Sequence, residues 1–502
     1  MHIKKIGIFF LIGMLAAFII TKAIFLLCWI AYVPFFILWR QVNGKQAVMA
    51  GIAFSLGISV ISFAWMVSTA VSFSGNGWFY GALVTSVSAV IFATYWTSLF
   101  LLINKLKKDK TSKWIRALFV ASCFTLGEHL LALAFGQMPY YLFNSGYALL
   151  NNLYTTQWSS FFGLSFLGFV VVFVNFIIAE IITSKTWVSL VWPMTILVAL
   201  LGGGFLIKFT FDQHLTNGKA VKIAIAAENI PADLRWDESG GNILAQRLLA
   251  LNTRASSLGP DIVLWSETTI PWAYRPDDEL LLELLKAPYP KNTAHIIGFM
   301  SNHSQKKMYN SVYGISGDGK KLGRYDKKYL LDFVETPFLN LNMPFRDLDG
   351  YLIAQGYRNL PIPTPGGSAG IVICNEVVKP EATISMVKNG AEFLLNLSND
   401  GWFRNSEIVH LHFLYAKLSA VINRKDIVVN SNNGISGGVR ANGEVLSSQK
   451  SEQGYVELVQ VNPNNYKNRW FFQSLVPALS AFIILGYFLM ISYRRYKESR
   501  VA

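Results

Sequence analysis

The chain has 502 residues, of which 52% are hydrophobic and only 15% charged, with a mean hydropathy of +0.36. That balance is too apolar for a soluble globular protein and the length too great for one domain, so a membrane-embedded part with something attached is expected. The formal charge of +14 would suggest nucleic acid in a soluble chain, and the three cysteines, Cys28, Cys123 and Cys374, are too few for a disulfide scaffold and carry no metal-ligand spacing.

Apolar runs of about 17 residues or more can span the hydrocarbon core as helices, because a helix satisfies its own backbone hydrogen bonds there. Eight such runs lie near residues 7–21, 23–39, 47–70, 79–103, 114–135, 161–183, 187–207 and 470–492. Only Thr21 and Lys22 separate the first two, and no small-residue cleavage site follows the first, which is therefore read as a retained helix. Lys4, Lys5, Arg40, Lys45, Lys105, Lys107, Lys108, Lys110, Lys113, Arg116, Lys185, Arg494, Arg495, Lys497 and Arg500 fall on one side of this pattern, against Lys22 alone on the other. The positive-inside rule makes the first side cytoplasmic and puts both termini there. The net charge thereby becomes a topology signal, and no nucleic-acid partner is expected.

The uncharged loop 136–160 holds Tyr140, Tyr141, Phe143, Tyr147, Tyr154 and Trp158, which are expected at the membrane interface. Glu128 and His129 are ionisable residues at membrane depth, marking either a functional position or a hydrogen bond between helices. The chain thus divides into a seven-helix membrane domain over 1–209, an extracytoplasmic domain over 210–469, and a last helix with a cytoplasmic tail over 470–502. In a bacterium this places the protein in the inner membrane with residues 210–469 in the periplasm.

Beyond residue 210 the long apolar runs give way to short strands and amphipathic helices. Strands are predicted at 221–226, 262–265, 294–300, 310–316, 369–374, 392–398, 427–431, 435–440 and 455–460, and helices at 242–257, 277–286, 380–389 and 406–424. Gly317-Asp318-Gly319 and Ala441-Asn442-Gly443 read as hairpin turns. This alternation argues α/β layers. The stretches 270–292 and 333–362, rich in Pro and aromatic residues, are expected to form arms over the site.

Reactive side chains stand at strand ends: Glu267 after 262–265, Cys374 after Ala369-Gly370-Ile371-Val372-Ile373, and Lys327 in Gly323-Arg324-Tyr325-Asp326-Lys327-Lys328. A thiol that attacks, a carboxylate that takes its proton and a cation that stabilises the oxyanion can together run acyl transfer. Each residue alone has an ordinary structural explanation, a buried small hydrophobe for the cysteine and a solvated charge for the others. His410 and His412 lie two apart on a helix, point to different faces and suit hydrogen bonding better than metal ligation.

Trp265-Ser266-Glu267-Thr268-Thr269-Ile270-Pro271-Trp272, Tyr325-Asp326-Lys327, Ile373-Cys374-Asn375-Glu376 and Asn396-Leu397-Ser398-Asn399-Asp400-Gly401-Trp402-Phe403 resemble, in order, the motifs around the Glu, Lys and Cys of the nitrilase or carbon-nitrogen hydrolase superfamily. With the helices, the catalytic insertion before the last of them, Asn229-Ile230-Pro231, Ser431-Asn432-Asn433-Gly434 and Phe162-Gly163-Leu164-Ser165-Phe166-Leu167, the chain is similar to the membrane-bound branch, the apolipoprotein N-acyltransferase family. The resemblance implies a multi-pass helical membrane domain carrying an α/β, nitrilase-like αββα sandwich over 219–462. It implies that Cys374 takes an acyl chain from a phospholipid, typically phosphatidylethanolamine, as a thioester. The α-amine of a diacylglyceryl-modified apolipoprotein then accepts that chain. Glu267 is implied as base, Lys327 as oxyanion stabiliser, Glu335 and Glu376 as supporting carboxylates, and Trp236, Asn375 and Trp402 as substrate contacts. No metal, nucleotide or other cofactor is required, and a monomer is expected because one chain supplies every catalytic part.

The chain departs from the family pattern at Asn375, where an aromatic residue is common, at Asp332-Phe333-Val334 in place of Pro-Phe-Gly, and at Ile422 in place of a glutamate. Two other readings remain: a membrane-tethered nitrilase-type amidase in which water takes the acyl group, and a non-catalytic lipid-binding or transport protein.

Overall fold

The computed structural model describes residues 3–42, 44–67, 69, 77–104, 106, 111–136, 143–214, 219–231, 234, 238–290, 292–332, 334–336, 352–403, 406–468 and 470–501. The chain forms two compact units, one of residues 1–67, 82–209 and 469–502, the other of 68–81 and 210–468.

In the first unit α1 (Ile3–Thr21), α2 (Val33–Trp39), α3 (Lys45–Phe63), α4 (Gly77–Asn104), α5 (Lys113–Ala134), α6 (Leu153–Gln157), α7 (Ser159–Ser184) and α8 (Val191–Asp212) are followed, after the second unit, by the C-terminal helix Leu475–Val501. Among the described residues six helices are long and apolar enough to cross a membrane. The apolar stretch of α1, Ile6–Thr21, is shorter. It crosses α3 at close range: a Cβ on Gly13 would lie 2.1 Å from Phe54 O, and one on Gly57 2.1 Å from Phe10 O. Only glycine allows such backbone contact.

The second expected span, 23–39, is not a continuous helix. Ala23, at φ +49°, ends α1, and residues 24–33 wind in tighter turns, with Leu27 N on Ile24 O, Ile30 N on Leu27 O and Val33 N on Ile30 O. A broken helix at membrane depth must have its freed polar groups satisfied by protein. Asn175 of α7 does this: its Oδ1 accepts from Tyr32 N at 2.8 Å and its Nδ2 donates to Cys28 O at 2.7 Å.

Of the aromatic residues in the loop between α5 and α7, Phe143 and Tyr147 are buried inside the unit and Tyr154 is partly exposed, while Tyr140 and Tyr141 lie outside the described residues. Residues Ser145–Leu149 form a 3-10 turn held by Glu128 of α5, whose Oε1 accepts from Ser145 N at 3.2 Å and Ser145 Oγ at 2.6 Å. Glu128 is thus the hydrogen-bond link of the two readings open to it. At another helix end Glu180 of α7 accepts from both Arg40 and Arg116, the latter at 2.7 Å.

The second unit is built on two sheets. In the first, β1 (Val221–Ala227), β2 (Ile262–Leu264), β3 (Ile270–Ala273), β4 (Ala294–Ser304), β5 (Lys307–Ser316), β6 (Lys321–Asp326), β7 (Leu352–Ile353) and β14 (Tyr455–Val461) run in the order β14-β1-β2-β4-β5-β6, with β3 on β4 and β7 on β5. In the second, β8 (Ile362–Thr364), β9 (Gly367–Ile373), β10 (Phe393–Asn399), β11 (Ile427–Asn432), β12 (Ser436–Val439) and β13 (Val445–Gln449) run β13-β12-β11-β10-β9-β8. Strands β1, β2 and β4 are parallel, as are β9, β10 and β11. These strands read as continuous apolar runs because both of their faces are covered.

Helices α9 (Glu238–Ser257) and α10 (Glu279–Leu285) cover the first sheet. Leu244, Leu248, Leu251 and Ala255, spaced one helical turn apart, join Leu281 and Leu284 in a core with Ala224, Val263, Trp265, Ile297 and Phe299. Helices α11 (Pro380–Lys388) and α12 (Ile408–Asn423) pack on the second sheet. Between the sheets Asn430 of β11 donates to Ala226 O and Leu264 O, both at 2.8 Å. The result is the αββα sandwich, with the ends of β2, β9 and β10 brought together. The expected arm 270–292 contains β3 and α10 as packed elements, and most of the other, 337–351, lies outside the described residues.

Candidate active site

β9 delivers Cys374 at a sharp turn. Cys374 has φ +52°, in the left-handed region, and opens the 3-10 turn Cys374–Val378. A non-glycine residue held there stores strain that the surroundings must offset, and such positions cluster at functional sites. The offset comes from Glu376, which is fully buried. Its Oε2 accepts from Ile373 N at 2.8 Å, while its Oε1 accepts from Tyr325 OH at 2.8 Å, Lys328 N at 2.8 Å and Tyr329 N at 3.0 Å. One carboxylate therefore fastens the cysteine turn to the chain on either side of Lys327. Burial pushes this carboxyl above its usual range, against the pull of those donors.

Glu267 follows β2, in a turn whose next residue, Thr268, has φ +52°. Its Oε1 accepts from Asn310 Nδ2 at 2.8 Å and lies 3.4 Å from Lys327 Nζ, and its Oε2 accepts from Asn399 N at 2.9 Å. Glu228, at the end of β1, braces the same turn by accepting from Ser266 N at 3.1 Å and Thr269 Oγ1 at 3.0 Å. Gly298 of β4 lets the turn approach, since a Cβ there would stand 2.3 Å from Thr268 N.

Lys327, buried at the end of β6, has its Nζ 2.9 Å from Glu335 Oε1, and Glu335 Oε2 accepts from Leu331 N at 2.9 Å. Burial works against the lysine's charge, but Glu335, Glu267 and Cys374 outweigh it and hold the ammonium well above its ordinary value. Burial, followed by the Glu267 carboxylate, pushes the Cys374 thiol well above its usual value, with Lys327 pulling the other way. The resting group is a thiol that feels both the Glu267 carboxylate and the Lys327 ammonium. That set can remove a proton, form a covalent bond to an acyl carbon and face an oxyanion with positive charge.

The structure therefore brings Glu267, Lys327, Cys374 and Glu335 together and puts Glu376 behind them as a clamp. Asn375 is buried and donates from Nδ2 to Tyr329 O at 3.3 Å. Trp402 lies in the 3-10 turn Asp400–Phe403 after β10, and Trp236 lies outside the described residues. Ile422, where a glutamate is usual, is buried in α12. His412 Nδ1 stands 2.9 Å from Asp400 Oδ1, and no group of three or more His, Cys, Asp or Glu among the described residues is placed to hold a metal ion.

Sequence reasoning missed Asn310, Asn396, Asn399 and Glu228 as parts of the site. The cue for two of them was their place in the stretch Asn396-Leu397-Ser398-Asn399-Asp400. The two asparagine motifs find their purpose here as well: Asn432 accepts from Ile230 N at 2.7 Å and donates to Asn399 Oδ1 at 3.0 Å, so they anchor the residue whose N–H holds Glu267.

Residues 222–462 match the carbon-nitrogen hydrolase family, and residues 12–177 match the apolipoprotein N-acyltransferase N-terminal domain. Over 438 residues the chain is 23% identical to the apolipoprotein N-acyltransferase of Geobacter metallireducens, covering 84% of this chain and 82% of that one. Its identity to that of Rhodopseudomonas palustris is 26% over 429 residues, covering 80% and 77%. To that of Haemophilus ducreyi it is 25% over 421 residues, covering 81% and 80%.

Proposed function

The chain belongs to the apolipoprotein N-acyltransferase family, and from that premise we propose that it moves an acyl chain from a membrane phospholipid, through a thioester on Cys374, to the α-amine of a diacylglyceryl-cysteine at the head of an apolipoprotein. The observation that carries this reading is the Lys327 ammonium set between Glu267 and Glu335 beside a buried thiol at a left-handed turn.

In the first step Glu267 takes the Cys374 proton as Sγ bonds to the ester carbonyl carbon, and the oxyanion faces Lys327. Collapse breaks the ester C–O bond, the proton returns to the departing oxygen, and a lysophospholipid leaves. In the second step the acceptor amine bonds to the thioester carbon, the C–S bond breaks, and Glu267 carries the amine proton to Sγ. The ester supplies the acyl group at sufficient energy, so the sequence as written needs no nucleotide or metal.

Glu335 and Glu376 support the triad, and Trp236, Asn375 and Trp402 contact substrate. Phosphatidylethanolamine is the donor assigned, and the working unit is a monomer. The basic residues in the loops support an inner-membrane protein with membrane domain 1–209, periplasmic catalytic domain 210–469, and last helix and tail 470–502, with both termini cytoplasmic.

The test is the intact mass of the purified protein and of Cys374→Ser after incubation with phosphatidylethanolamine and then with a diacylglyceryl peptide. A hydroxylamine-sensitive acyl mass that requires Cys374 and moves to the peptide amine is expected. Release of the acyl group to water despite peptide would instead indicate an amidase-type hydrolase, and no adduct with any lipid would indicate a binding or transport protein.

A further inference from the structure

A cavity of about 600 Å³ opens at the free edge of both sheets, where β6, β8 and the segment 357–361 meet. Strand β6 separates it from the reacting groups. Side chains alternate along a strand: Tyr325 and Lys327 reach Glu376 and Glu267, whereas Arg324 and Asp326 line the cavity. The cavity is therefore distinct from the acyl-transfer site.

Its charge is positive. Among the described residues that line it, Lys321, Arg324 and Arg358 stand against one acid, Asp326. That acid is already engaged, since its Oδ1 accepts from Arg324 Nε at 2.7 Å and from Ser311 Oγ at 2.5 Å. Arg324 is fixed further by the rings of Tyr309 and Tyr313, whose centroids lie 5.3 and 5.7 Å from its guanidinium carbon. Lys321 and Arg358 are exposed and have no carboxylate partner among the described residues. A guanidinium fork and an ammonium on one cavity suit the oxygens of a phosphate. The rim adds an apolar component: Tyr357 is 75% exposed and Leu360 61%. Exposed tyrosine and leucine beside basic groups is a composition that settles in the headgroup layer of a bilayer. Free phosphate or an acidic peptide would use the cations and leave this rim in water.

We propose that this cavity binds the phosphate of an anionic phospholipid headgroup, with Lys321 and Arg358 on the phosphate and Tyr357 and Leu360 among the lipid at the rim. The chain supplies the lipid at high local concentration, because it joins this unit at both ends to helices long and apolar enough to cross a membrane, α8 and the C-terminal helix. The unpaired positive charge favours phosphatidylglycerol over a zwitterionic lipid. The site takes no part in the chemistry of Cys374, so its test is independent of the acyltransferase reading.

The test places the full-length protein in nanodiscs containing phosphatidylglycerol with a photoreactive diazirine on its headgroup, and maps the labelled peptides after irradiation. Label is expected in 321–326 and 357–363, and about tenfold less of it from phosphatidylcholine carrying the same group. The double variant Lys321→Gln, Arg358→Gln should lower labelling of both segments about tenfold, with labelling of the C-terminal helix and the melting temperature unchanged. If the double variant does not fold, Arg358→Gln alone is expected to lower labelling about threefold. Inorganic phosphate at the concentration of the lipid should leave the label in place. Its loss would assign the cavity to free phosphate and overturn the lipid as occupant, and loss to a glutamate-rich peptide but not to phosphate would assign it to an acidic peptide. Absence of label from both segments while the C-terminal helix is labelled, or label that the variants retain in full, would overturn the site.

Discussion

The Tyr325 hydroxyl donates to Glu376 Oε1 at 2.8 Å, so the strand that delivers Lys327 is tied to the turn that carries Cys374. Both groups are buried, and three backbone N–H groups share the same carboxylate. Glu376→Ala strands four donors without a partner. At about 1 kcal/mol or more for each buried unsatisfied group, the loss is about 4 kcal/mol. Thermal unfolding of the full-length protein in detergent is expected to show a fall of many degrees, and thioester formation should vanish. A stable but inactive Glu376→Ala would mean that the carboxylate acts in the chemistry and not as a clamp.

Gly298 makes a sharper test of the geometry, because it touches no reacting atom. A Cβ at this position would lie 2.3 Å from Thr268 N and 2.6 Å from Ser266 O, the two neighbours of Glu267. Neither can yield independently, since Ser266 N and Thr269 Oγ1 are both held by Glu228. Gly298→Ala should therefore move the Glu267 turn. Misplacing a reacting group by about 1 Å costs on the order of a hundredfold in rate, so thioester formation is expected to fall at least about tenfold. Overpacking of this kind costs about 1–3 kcal/mol in stability. An unchanged acylation rate would show that the turn tolerates displacement.

Much of this organisation was legible before the structure. Long apolar runs announced the helices able to cross a membrane, and continuous strands ending in Glu267 and Cys374 announced α/β layers, while the sandwich was implied by the family resemblance. Lys327 was found by its motif and not by its strand, because β6, with Lys321, Arg324 and Asp326 among its six residues, is an edge strand with no apolar run. Strand β3 was hidden by Pro271. The break after α1 was illegible for another reason: a hydropathy pattern cannot show that Asn175, 143 residues away from Tyr32, supplies the missing hydrogen bonds. Asn310 was obscured likewise, since its bond to Glu267 joins segments 43 residues apart.

Asn175 thus makes a prediction for the membrane unit. Replacing it with leucine leaves Tyr32 N and Cys28 O without the partners they have at 2.8 and 2.7 Å. Lipid offers no substitute at this depth. Asn175→Leu is expected to lose about 2 kcal/mol or more, read as a lower melting temperature in detergent. Asn175→Asp restores only the acceptor for Tyr32 N and should recover part of the loss. Equal melting temperatures for Asn175→Leu and the unaltered protein would show that the break is held by other contacts.

His295 of β4 gives the catalytic unit a pH dependence of known sign. Its ring is buried, its Nδ1 accepts from Trp265 Nε1 at 3.3 Å, and its Nε2 has no partner. Burial lowers its pKa from 6.5 to about 4. The folded state therefore resists a proton that the unfolded state accepts. Stability from the neutral ring is complete above pH 6.5, falls as pH drops from 6.5 toward 4, and stops falling once the folded form also takes the proton. At about 1.36 kcal/mol per pH unit, the whole loss is on the order of 3 kcal/mol. Carboxylates titrate in the same window, so the informative quantity is the difference between the unaltered protein and His295→Gln, which keeps an acceptor for Trp265 but cannot be protonated. The melting temperatures of the two should converge as pH falls from 7 to 4.5. Parallel curves over that range would mean that His295 is protonated in the fold as readily as outside it, which a buried ring with one unpaired nitrogen does not permit.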